Sequence, residues 1–170
     1  MSNPWNGFAL GLAAHLREEV AECAVDLPEM ERIEVVVWRQ DDLNSLADGL
    51  TAKAKGMGVI ILGCGGKNPD PKSNALRVGG AFSISVWASP DIVTDLKADD
   101  LCWKLARAAQ GFKLFESPTD RDGRLEVEDV AIVPHKKFLV WEAKANVLRL
   151  PQDESTAPPG WQSETGNWET

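Results

Sequence analysis

The residues with the strongest claim to chemistry follow a short apolar run. Val59-Ile60-Ile61-Leu62 leads into Gly63-Cys64-Gly65-Gly66-Lys67. Glycines after a buried strand let backbone N–H groups approach a phosphate, and a lysine adds positive charge. The spacing meets neither phosphate template. A Walker A loop sets four residues between its first Gly and Gly-Lys, then follows the Lys with Ser or Thr. Here Asn68 follows Lys67. The dinucleotide fingerprint needs a third glycine at that same position, and Pro69 and Pro71 oppose a helix start directly after the turn. A flexible glycine-rich loop over 63–80 is the expectation. A small enzyme or nucleotide-binding domain using 63–67 is the alternative.

Other chemistry has less to work with. His15 and His135 are the only two histidines, and neither has a second His four residues on. The acidic turn TDRDGRLE, with Asp120, Asp122 and Glu126, lacks the twelve-residue calcium-loop pattern. It reads as the approach to a hairpin. The three cysteines, Cys23, Cys64 and Cys102, are far apart and odd in number, which suits neither a disulfide framework nor a Cys-based metal site. No G-x-S-x-G is present, and Asp41-Asp42 and Asp99-Asp100 sit where helices start. No catalytic residue, cofactor or metal ligand is expected.

The elements that would position these residues alternate. Phe8, Leu12, Leu16, Val20 and Cys23 repeat at helical spacing and predict a helix over 4–25, with Asn3 as cap and Pro4 in its first turn. IEVVVWR at 33–39 is β-branched and predicts a strand. Asp41 and Asp42 open a second helix with Leu43, Leu46 and Leu50 as its stripe, Lys53 and Lys55 in its last turn, and Gly56 as its close. VIIL at 59–62 reads as a strand covered on both faces. AFSISVWA at 81–88 alternates, with Phe82, Ile84 and Val86 opposite Ser83 and Ser85. A third helix spans at least 99–110, capped by Asp99 or Asp100 and closed by Gly111. LEVEDVAIV at 125–133 and KFLVWEAKANVLRL at 137–150 form a final hairpin around Pro134-His135. The fold class is α/β in the α+β sense: a single mixed, largely antiparallel sheet with helices packed on it.

Length and charge narrow the field of functions. The 170 residues suit one domain, expected over 1–150. Hydrophobic residues at 44% and charged residues at 26% are the ordinary globular mix. A formal charge of −8 argues against a general nucleic-acid or anionic-membrane binder. No stretch approaches the ~20 apolar residues of a membrane span. MSNPWNGFAL has no basic n-region, so no secretory signal is expected and the protein reads as intracellular. Residues 151–170 hold Asp153, Glu154, Glu164 and Glu169 with no Lys or Arg, which predicts a disordered acidic tail. Trp161 and Trp168 within it could anchor a docking peptide. Seven tryptophans and no tyrosine point to core or interface use of Trp38, Trp87, Trp103 and Trp141.

Taken in order, GMGVIILGCGG at 56–66, AFSISVWAS at 81–89, DDLCWKLARAAQGF at 99–112 and FLVWEAKANVLRL at 138–150 resemble phage tail terminator proteins. Among these the chain looks most similar to the tail proteins of Mu-like prophages. The resemblance covers about residues 5–150. The long 63–80 segment and the Trp-bearing tail depart from it. It implies a structural protein rather than an enzyme. Such a protein forms a homo-oligomeric ring, commonly a hexamer, that terminates the tail tube and meets the head connector. It would be found in the virion, or in the bacterial cytoplasm during assembly. Ring closure needs two different patches on each subunit. Lys67, Lys72 and Arg77 concentrate positive charge on one side of such a contact, with Asp120, Asp122 and Glu126 as acidic counterparts.

Overall fold

An apolar face repeating every three to four residues builds the first helix, α1, Pro4–Cys23. Phe8, Leu12, Leu16 and Val20 are buried along it, as the spacing predicts, and Ala9 and Ala13 join them. Cys23 is only half-buried. The helix unwinds through Ala24–Leu27, whose N–H groups reach back to the carbonyls of Val20, Glu22 and Cys23. The computed structural model describes residues 4–28, 30, 33–38, 56–68, 71–72, 74, 79–90, 96–114 and 123–150. The helix expected from Asp41 to Gly56, its leucine stripe, the Asn3 cap and the 151–170 tail therefore lie outside the described residues.

Five strands form one sheet in the order β1-β2-β3-β5-β4. They are β1 Glu34–Val37, β2 Met57–Lys67, β3 Gly79–Ala88, β4 Leu125–Val133 and β5 Leu139–Val147. The β1–β2 pair is parallel and the other pairs are antiparallel, which bears out the mixed, largely antiparallel sheet. β1 is shorter than expected, although Trp38 still donates its N–H to the Ile61 carbonyl at 2.7 Å.

The largest departure from the sequence reading is at the glycines. Gly63-Cys64-Gly65-Gly66-Lys67 is not a loop. It is the second half of β2, paired with Gly79–Phe82. Two glycine-rich segments make this possible, since Gly66 faces Gly80 and Lys67 faces Gly79 across the ladder. A bulge between Gly63 and Gly65 absorbs one extra residue. Gly65 carries it at φ +134°, a region side chains disfavour. The connection between the strands shrinks to 68–78.

A second helix, α2, runs from Ala98 to Ala109. Leu101, Cys102, Leu105 and Ala109 are buried as predicted. Asp99 and Asp100 lie in its first turn instead of capping it. Lys97 holds the cap position with no side-chain bond, and Asp99 Oδ1 accepts the Asp100 N–H at 3.0 Å. Gly111, at φ +80°, ends the helix as expected, and its N–H is donated to the Leu125 carbonyl.

Both helices cover the same face. α1 packs on β1 and β2, α2 packs on β3, β5 and β4, and the helices touch each other. Phe82, Ile84, Val86, Ala143 and Ala145 meet Phe8, Leu12, Leu101 and Leu105 in one continuous core. Phe8 sits at its centre, 5.0 Å from the Phe82 ring and 5.3 Å from that of Phe112. A second, small cluster of Phe138 and Val140 with Trp87 and Val133 lies by the hairpin turn. There His135 Nδ1 accepts the N–H groups of Lys137 and Phe138, both at 3.1 Å.

Candidate assembly interface

The pairing of 63–67 with β3 removes the geometry a phosphate site needs. Its backbone is extended along a neighbouring strand and does not wrap around a hollow. The next described element after it is β3, and the next described helix, α2, begins only at Ala98.

The charged residues singled out from the sequence are only partly placed. Lys67 ends β2 opposite Gly79. Lys72 is exposed in the 68–78 connection. Glu126 is exposed on β4, opposite Asn146 of β5. Arg77, Asp120 and Asp122 lie outside the described residues, so the structure neither joins nor separates the two expected patches.

The face of the sheet opposite the helices carries a buried polar network. Ser83 is 4% exposed and its hydroxyl donates to Glu142 Oε2 at 2.8 Å. The Trp87 indole N–H donates to Ser85 Oγ at 3.0 Å, and Ser85 donates to the Ile60 carbonyl. Alternation places these serines on one side and the core residues on the other, as the sequence predicts. Trp87, opposite Phe82, Ile84 and Val86 on the strand, points to cover on this face as well, and its indole lies over Ser85.

Nucleophile and metal chemistry find little support in the geometry. Among the described residues no group of three or more His, Cys, Asp or Glu could hold a metal ion. His15 Nε2 lies 2.8 Å from the Ala108 carbonyl and the ring stacks on Phe112, so it ties α1 to α2. All three thiols are pushed up. Burial leads at Cys102, helped by the Glu142 charge, and takes it to about 12. Burial also leads at Cys64, with Glu142 adding and Lys144 opposing, and at Cys23, where Glu19 adds. None is an activated thiolate. Iodoacetamide at neutral pH should therefore modify the exposed Cys64 first and slowly. Cys102 should react only after denaturation, read by mass spectrometry. Fast native-state labelling of Cys102 would contradict its burial.

The side of the domain formed by α2 and β4 is different. Trp103 is 52% exposed and Ile132 54% exposed. The Arg107 guanidinium lies 5.7 Å from the Trp103 ring centroid. A groove of about 430 Å³ runs between α2 and β4, lined by Trp103, Arg107, Gln110, Val127 and Val130 among others. A second of about 370 Å³, lined by Leu96, Ile132, Leu139 and Trp141, continues past the start of α2. Sequence reasoning passed over this surface, because LEVEDVAIV gives no sign that it would be an edge strand. Among the described residues no helix is long and apolar enough to cross a membrane. No protein-family model matches the chain, and no curated protein matches it either.

Proposed function

We propose that the protein is a structural component of a phage or prophage tail, one that assembles into a ring terminating the tail tube and joining it to the head connector. The observation that carries this reading is the fold. A five-stranded mixed sheet with both described helices on one face is compatible with the α/β arrangement the tail-terminator resemblance implies, although the helix expected between β1 and β2 lies outside the described residues and the expected glycine loop is part of β2. Exposed Trp103, Ile132 and Leu139 add support, because large apolar side chains left at a surface suit protein contacts. The contrary reading, a nucleotide site at 63–67, loses its loop to β2.

Electron microscopy of the purified full-length protein, alone and with tail tubes, tests the proposal. Rings, or caps on tube ends, are expected. Particles that stay monomeric in sedimentation and never decorate tubes would overturn it. If the lysine-bearing segment joins subunits, reversing Lys67, Lys72 and Arg77 to Glu should weaken rings. The melting temperature should stay within a few degrees, since surface changes usually cost under ~0.5 kcal/mol.

A further inference from the structure

An open sheet edge invites another strand, and this fold closes most of its own. At the β1 edge, Arg17 of α1 donates from Nε and Nη2 to the Val35 carbonyl at 3.0 and 2.8 Å. At the start of the β4 edge, Leu125 is paired on its outer side with Gly111 and Phe112. The Val127 N–H is donated to Gln110 Oε1 at 2.8 Å. The bulge between Val127 and Asp129 then shifts the phase of β4. Beyond it, Asp129, Ala131 and Val133 turn their backbones toward β5. Val130 and Ile132 turn theirs outward, where no described residue meets them. Pro134 ends the strand's donors. Among the described residues, what remains open on this edge is a window of four apolar residues, Val130 to Val133.

The sequence around that window has a direction. Glu126, Glu128 and Asp129 precede it, and Lys136 and Lys137 at the hairpin tip follow it; all five are exposed. A copy of the same strand laid antiparallel sets each acidic end beside the other copy's basic tip. A parallel copy would set like against like. Antiparallel pairing through the outward residues puts Val130 opposite Ile132 of the second copy, and Ile132 opposite its Val130. These two side chains point to the helical face, because they pair with Ala143 and Trp141 of β5. A two-fold axis perpendicular to the sheet keeps both α2 helices on that face. The half-exposed Trp103 of each copy then flanks the seam.

We infer that the Val130–Val133 edge binds a second copy of this chain, β4 against β4, in a two-fold antiparallel pair that continues the sheet across both subunits. Main-chain bonds supply the attachment, Val130 and Ile132 the buried contact, and the acidic and basic ends the register. The contact closes on itself and so makes pairs, not rings. It stands apart from the proposed tail function and does not need it.

Sedimentation equilibrium of the full-length protein tests this, with variants chosen to leave β4–β5 pairing intact. The parent is expected to dimerise. Ile132→Pro removes only an outward N–H, so it should fold, with an unchanged circular dichroism spectrum, and lose the two-fold pairing. Ala131→Pro removes a bond to β5 and should destabilise the fold, which fixes the phase of the edge. Reversal of Lys136 and Lys137 to Glu, or of Glu126 and Glu128 to Lys, should weaken self-pairing about a hundredfold each. An equimolar mixture of the two reversed proteins should form a heterodimer. A parent that stays monomeric to millimolar concentration overturns the inference. So does a dimer that survives Ile132→Pro, or a mixture that fails to pair. Rings that persist in Ile132→Pro would leave the tail proposal standing while the parent's dimer decides this one.

Discussion

Phe8→Ala should cost about 3–5 kcal/mol and bring the domain to the edge of unfolding at 25 °C. The side chain has no solvent exposure and lies where α1, β3 and the segment after α2 meet. Truncation removes the buried ring and two aromatic contacts, Phe82 and Phe112. It also leaves a hole lined by parts of three elements, which cannot all move in to fill it. Urea denaturation followed by tryptophan fluorescence would give the loss directly, as a lower midpoint with little change in slope. Leu10→Ala, on the exposed side of the same helix, is the control and should cost well under 1 kcal/mol. Equal losses for the two would mean that α1 does not pack through the Phe8 face.

Gly79→Ala should be nearly as damaging, for a different reason. A Cβ at Gly79 would stand 2.6 Å from the Leu148 carbonyl oxygen and 2.7 Å from that of Val147. Those atoms are backbone, so no side-chain rotation relieves the clash. Either β3 or the chain leaving β5 must shift. A cost of about 3 kcal/mol is expected, at the top of the usual range for overpacking. Gly65→Ala is the contrast. Its Cβ would meet nothing within 4 Å, but φ +134° is strained for any side chain, so its cost is backbone strain alone. Thermal unfolding should rank Gly79→Ala well below Gly65→Ala. The opposite order would show that the β3 start and the 147–148 segment do not touch.

These glycines also show where the sequence was hard to read. The elements with a strong period were legible: α1 from its stripe, β3 from its alternation, and β5 from the Trp141, Ala143, Ala145 and Val147 face. Their sum gave the fold class. The strand through Gly63–Lys67 was not legible, because glycine and proline mark turns in a linear reading. Its extended form comes from a partner that is itself glycine-rich, and no local window contains both. The caps at Asp99 and Asp100 were misplaced by two or three residues, since Lys97 holds the cap position. The surface of interest failed for a physical reason too. Whether LEVEDVAIV lies inside a sheet or at its rim depends on strand order, which is set by long-range pairing. The pairing of Lys67, Lys72 and Arg77 with Asp120, Asp122 and Glu126 rested on proximity that spacing alone cannot supply.

Strand order has one more consequence, for a chain emerging from the ribosome. β5 is the last described strand, yet it lies between β3 and β4. Until residues 139–147 are available, β3 lacks a neighbour on one side and β4 lacks the strand it is built on. The N-terminal half can bring α1 onto β1 and β2 early, but the sheet cannot close in the order in which it is made. A nascent chain that pauses before Leu139 exposes the apolar row Phe82, Ile84 and Val86 along a strand paired only with β2. Synthesis at about 5–20 residues per second makes that exposure brief. Slow codons ahead of β5 would prolong it, and holdase chaperones would be expected to find the chain there.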